Sequence, residues 1–167
     1  LAVVDGLPAL TGSPICVRAL PQLTAHRGQL LSAAGERGTP VHAASFIRRR
    51  EIILESELLA KPALPLIVVH EIFHFVWARL SNATRGSFSA LLTNELRLHA
   101  RGELGESAAV RKQTDPHRRD YICESFCDTA AWLYAPRGNH PHATLAKRWR
   151  IRRRLWFEAT FRGPVPC

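Results

Sequence analysis

Residues 64–80 read Leu-Pro-Leu-Ile-Val-Val-His-Glu-Ile-Phe-His-Phe-Val-Trp-Ala-Arg-Leu, a nearly continuous apolar stretch that carries His70, Glu71 and His74. Pro65 suits the first turn of a helix, and Ser81-Asn82 would end it. A helix that is apolar nearly all round belongs inside a core. Two imidazoles and a carboxylate in that position are costly unless something satisfies them. His70 and His74 stand four apart, so they lie one above the other on one helix face and can reach a single metal ion. Glu71 sits beside that face, and its carboxylate can take a proton from a water held by the ion. The pattern H-E-x-x-H is that of metal-assisted hydrolysis. The competing reading is two satisfied core histidines and a glutamate paired with arginine, which asks for three separate partners on one helix.

Two histidines leave a catalytic metal short of one protein ligand. The extension H-E-x-x-H-x-x-G-x-x-H is absent, because Trp77 and Leu80 occupy the places of its glycine and last histidine. The third ligand must come from farther along. Tyr121-Ile-Cys-Glu-Ser-Phe-Cys-Asp128 offers Glu124, with Asp128 one turn later on the same face. A second acid there can accept the free N–H of a ligand imidazole and fix its tautomer. Pairing of Glu124 and Asp128 with arginines of other helices is the plainer reading, and His99 is an alternative ligand.

The rest of the chain reads as one domain over residues 1–167. Two β-like runs fall at 1–4 and 15–20, and residues 24–34 read as a helix ended by Gly35 or Gly38. Residues 40–48 and 51–54 read as two strands joined by a turn near Arg49 and Arg50. Residues 56–61 form a connector, and 87–99 a second helical stretch. Residues 102–116, polar and punctuated by Gly102, Gly105 and Pro116, read as a mobile loop that could act as a lid. Residues 118–135 read as a third helix and 143–161 as a final, basic one. The expected class is α+β, a small mixed sheet packed on the H-E-x-x-H helix with further C-terminal helices.

The matching residues His70-Glu71-x-x-His74 and Glu124-x-x-x-Asp128 make the chain resemble the gluzincins, metallopeptidases whose third ligand is a glutamate on a second helix. Arg50-Glu-Ile-Ile-Leu-Glu-Ser56 resembles the strand and loop leading into the active-site helix of small zincins. Compact bacterial and phage-type zincins that cleave repressors are similar in order and size. The resemblance covers roughly residues 40–136; the last 30 residues have no counterpart. It departs from thermolysin-like members in spacing, with 49 residues between His74 and Glu124. The resemblance implies one catalytic zinc ion held by His70, His74 and Glu124, with Asp128 behind them. Glu71 would be general base and then proton donor to the leaving amine of a peptide or protein substrate. The edge strand near residues 46–54 would hold an extended peptide by strand addition. Tyr121 fits an oxyanion-stabilising role by helix face, with His117, His140 and His142 as weaker options.

Composition adds less. The net charge is +9, and arginine supplies 20 of the 23 basic residues. The densest run is Lys147-Arg-Trp-Arg-Ile-Arg-Arg-Arg-Leu-Trp156. On a helical wheel Leu145, Trp149, Ile151, Leu155 and Trp156 form a broad apolar arc, with Arg148 and Arg152 inside it. Lys147, Arg150, Arg153 and Arg154 are then expected in solvent. Trp149 and Trp156 read first as packing residues; an acidic protein partner or nucleic acid bound through this helix is the alternative reading. A regulatory or DNA-associated protein that keeps the zincin scaffold but acts by binding is the second functional reading. No apolar run is long enough for a transmembrane span. Cys16, Cys123, Cys127 and Cys167 form no C-x-x-C pair and read as small core residues in a reducing compartment. The opening residues lack a signal peptide's charged start. A cytoplasmic location is therefore expected, although the missing initiating methionine leaves a processed, exported form open.

Overall fold

A computed structural model describes residues 6–27, 29–32, 38–114, 118–136 and 142–167. Eight strands and five helices follow one another along these residues. The strands are β1 (Leu10–Thr11), β2 (Cys16–Leu20), β3 (Leu23–His26), β4 (Gln29–Ser32), β5 (Thr39–Pro40), β6 (Ala43–Phe46), β7 (Glu51–Glu55) and, at the end, β8 (Val165–Pro166). The helices are α1 (Leu64–Arg79), α2 (Asn82–Arg97), α3 (Glu106–Thr114), α4 (Arg119–Tyr134) and α5 (Lys147–Thr160). The molecule is thus mixed α+β.

The sheet that positions the site has the order β2-β7-β6. Its centre is β7, buried from Glu51 to Leu54 because it is covered on both edges and faces α1. β2 runs parallel to it, and β6 runs antiparallel, with Ala43 opposite Leu54 and Phe46 opposite Glu51. The β6–β7 turn is a short 3-10 segment, Ile47–Arg49, closed by Arg50 at φ 53°. Glu51 starts β7 inside the protein, where Arg18 (3.2 Å) and Arg49 (2.5 Å) pair with its carboxylate. β1 and β8 pair in parallel and tie the two ends of the described chain together.

Residues 24–34, expected as a helix, form instead the hairpin β3–β4, with His26 opposite Gln29; residues 33–37 lie outside the described ones. Arg27, directly after β3, stands at φ 48°, the left-handed backbone of a tight hairpin turn, and this outweighs the local helix propensity. The turn into β3 is held by Glu55, whose carboxylate accepts the N–H groups of Gln22 (3.1 Å) and Leu23 (2.6 Å). The run at 1–4 falls outside the described residues, whereas that at 15–20 is β2.

α1 lies between the sheet and α4, and the two helices run antiparallel, with His70 beside Asp128 and His74 beside Cys123. α2 and α5 cover the other side of α4. Their shared core is aromatic: Phe126 packs on Phe157 at 5.0 Å and Phe88 on Trp156 at 4.8 Å between ring centroids. α2 begins at Asn82, five residues before the expected 87, because Ser81 accepts the Thr84 N–H (3.1 Å) and caps it.

Two further expectations are corrected. Most of the segment expected as a mobile loop at 102–116 is ordered: Glu103, Leu104 and Ala108 are buried, and α3 packs on α4. The apolar arc expected on α5 is only partly its packed face: Leu145 and Trp149 are buried and Trp156 packs on Phe88. Ile151 (46%) and Leu155 (57%) are exposed, whereas Arg153, expected in solvent, is fully buried. Arg153 pairs with Glu95 of α2 (2.7 Å) and with Glu103 (2.9 Å), so a charged side chain takes a core position because two carboxylates wait there. No helix among the described residues is long and apolar enough to cross a membrane.

Candidate metal centre

α1 and α4 bring the sequence-predicted residues to one place. His70 Nε2 lies 3.1 Å from Glu124 Oε2 and 3.2 Å from His74 Nε2, and the His74–Glu124 side of this triangle is 3.9 Å. A tetrahedral metal with bonds of about 2.0–2.1 Å asks for edges of about 3.3–3.4 Å between its ligand atoms. Behind the triangle, His70 Nδ1 lies 2.8 Å from Asp128 Oδ1, and His74 Nδ1 lies 3.5 Å from Cys123 Sγ. When each Nδ1–H points at its acceptor, each Nε2 presents a lone pair. Two lone pairs facing each other at 3.2 Å repel unless a metal ion lies between them or, without one, a proton sits on His70 Nε2 and is shared with Glu124. The donor set therefore fits a divalent metal.

Asp128 does two things at once. Its Oδ1 holds His70, and its Oδ2 accepts the Ala108 N–H at 2.9 Å. Ala108 is the third residue of α3, and Gly105 before that helix has no side chain with which to cap it. Asp128 supplies the missing cap from α4.

Burial and charge compete over these groups. Burial disfavours a charged His70, but the Asp128 and Glu124 carboxylates outweigh it and hold the imidazole well above its usual range. Burial likewise pushes Glu124 up, and the hydrogen bond from His70 reverses this, leaving the carboxyl below its usual range. The hydrogen bond from Cys127 brings the Cys123 thiol down to about 6, while burial pushes Cys127 well up.

Cys127 is the residue that sequence reasoning passed over. Its sulfur and one ring nitrogen each of His70 and His74 all lie within 4.8 Å of one another, so it is a second candidate third ligand. The shorter nitrogen-to-carboxylate distances, 3.1 and 3.9 Å, favour Glu124. The signal was available, since Cys127 stands three residues after Glu124 and four after Cys123 on one helix. Ser45 carried no such signal. From β6 its hydroxyl reaches Glu71, 2.5 Å from Oε2 and 3.0 Å from the backbone oxygen.

Other candidates are placed elsewhere. Tyr121, expected to stabilise an oxyanion, is buried and donates its hydroxyl to Glu103 Oε1 at 2.6 Å, inside the Arg153 cluster. Burial first, and Glu103 next, push its phenol up, so it is committed to that carboxylate and does not fit the expected role. His99 is exposed at φ 55° where α2 ends and does not join the cluster. His142 is exposed, 3.7 Å from Glu106. His117 and His140 lie outside the described residues.

Beside His70 and Glu71 opens a cleft of about 590 Å³. Val41 and Ala43, Leu66 and Ile67, and Leu104 give it apolar walls, and Lys61 and His142 also line it. Comparison with protein-family models, with curated proteins and with solved structures returns no match.

Proposed function

We propose that this protein is a zinc-dependent metallopeptidase of zincin-like architecture. The observation that carries the proposal is the triangle of His70 Nε2, His74 Nε2 and Glu124 Oε2, with the Glu71 carboxylate next in sequence to its first corner. His70, His74 and Glu124 would hold the ion, with Asp128 and Cys123 orienting the two imidazoles. A bound zinc supplies Lewis acidity, which makes a water nucleophilic at neutral pH and polarises a carbonyl. Glu71 takes the proton from the attacking water and passes it to the leaving amine. Ser45 holds one carboxylate oxygen of Glu71, so the base keeps its aim at β6. That edge strand and the apolar cleft suit an extended peptide with an apolar side chain near the scissile bond. The gluzincin pattern of the sequence supports the same reading.

The test combines metal analysis with peptide cleavage. The wild type should bind one zinc per chain and cleave. Glu71→Gln should keep the zinc and lose about 10²–10⁴ in rate. Glu124→Ala should lose the zinc, and Cys127→Ser should keep it. A wild type that takes up no zinc when offered it, or a Glu71→Gln variant that cleaves at the wild-type rate, refutes the proposal.

A further inference from the structure

A second cleft, of about 400 Å³, lies at the far end of the α1–α4 pair from Glu71. Asn82, Arg85, Gly86 and Ser89 of α2 line one side of it, at the spacing of a single helix face. Arg119 in the first turn of α4 lines another side, and Trp77 and Ile122 supply apolar wall. Among the described residues, no carboxylate lines it. Arg85 is fixed by neutral acceptors, Nη1 on the Trp77 carbonyl (3.1 Å) and Nη2 on Asn82 Oδ1 (2.8 Å), so its charge stays uncompensated. The Arg119 side chain has no hydrogen bond or ion pair among the described residues. Gly86 is the remaining clue. A glycine inside a helix is weaker than alanine. Here a Cβ would meet nothing within 4 Å, so packing does not require the glycine. Its effect is to leave the cleft open between Arg85 and Ser89.

The geometry points to a binding site for a phosphate-class oxyanion, free or carried on a small organic molecule, held between Arg85 and Arg119. Guanidinium forks match phosphate oxygens, and a dianion neutralises both arginines. The Ser89 hydroxyl adds a donor, and the Trp77–Ile122 wall suits the organic part of a phosphate monoester. The site is independent of the metal centre.

Amide NMR of the whole chain tests it, with sodium phosphate, adenosine monophosphate and sodium chloride titrated at matched ionic strength. Saturable shifts confined to residues around 82–89 and 119–122 are expected with phosphate and absent with chloride. Equal affinity for the nucleotide identifies free phosphate as the ligand chemistry, and tighter binding identifies a carried one. Arg85→Gln and Arg119→Gln should each weaken phosphate about tenfold or more. Gly86→Leu should block the cleft without changing charge, and Arg148→Gln, with the same loss of charge on α5, should bind as the wild type does. Shifts centred on His70 and His74, non-saturable shifts shared with chloride, or Gly86→Leu binding as tightly as the wild type overturns the proposal.

Discussion

Asp128 and Arg153 are both buried charges, and the company each keeps decides what its loss would do. Asp128 divides its two oxygens between His70 and the N-terminus of α3. Asp128→Asn keeps the shape but replaces one acceptor oxygen by an NH₂ donor. With the oxygen left on the α3 side, the amide faces His70 Nδ1, and the imidazole must change tautomer. Zinc affinity should fall about 10–100-fold, read by competition with a chelator, while the fold persists. An unchanged affinity would show that His70 needs no partner. Arg153 is a different case, since it neutralises Glu95 and Glu103 in a fully buried cluster. Arg153→Met strands two carboxylates and should cost about 3–5 kcal/mol in urea unfolding. Arg154→Met, one residue on and exposed, should cost less than about 0.5 kcal/mol.

The helices meet through contacts that make two glycines behave oppositely. A Cβ on Gly105 would stand 2.2–2.4 Å from the Asp128 carboxylate atoms. That carboxylate is pinned from both sides, so Gly105→Ala must push it off His70 or lift α3. The expected outcome is weaker zinc binding together with faster amide exchange in residues 106–114; neither change would mean that α3 docks without Asp128. Gly86→Ala meets nothing and should stabilise α2 by about 0.5–1 kcal/mol. The two helices of the candidate metal centre were legible in the sequence because their spacings are local: His70 and His74 share a face within α1, and Glu124 and Asp128 within α4. β6 and β7 were legible because their apolar runs flank a short turn. What depends on distant partners was not legible. Nothing within Arg152-Arg153-Arg154 says that the middle arginine meets Glu95, 58 residues away. The β3–β4 hairpin depends on pairing with β5 and on Glu55, and α3 is stabilised by a cap from another helix.

At the scale of the molecule, the Arg153 cluster joins α2, the segment before α3, α4 and α5, so its protonation bears on the whole fold. Burial pushes Glu103 up, but Arg153, Tyr121 and Lys112 together hold its carboxyl below the ordinary 4.5. A folded-state value below the unfolded one means that the unfolded chain binds the proton more readily. The stability this group contributes is therefore present above pH 4.5 and is lost as the pH falls through the folded-state value. Glu103→Gln removes the titration. It should be less stable than the wild type at neutral pH, because Arg153 and Lys112 lose a charged partner. It should also lose less stability than the wild type on going from about pH 5 to about pH 3. Urea midpoints at a series of pH values measure both effects. Parallel curves for the two proteins across that range would place the acid sensitivity elsewhere, with Glu124 the next group to test, since its carboxyl is also held below its usual range.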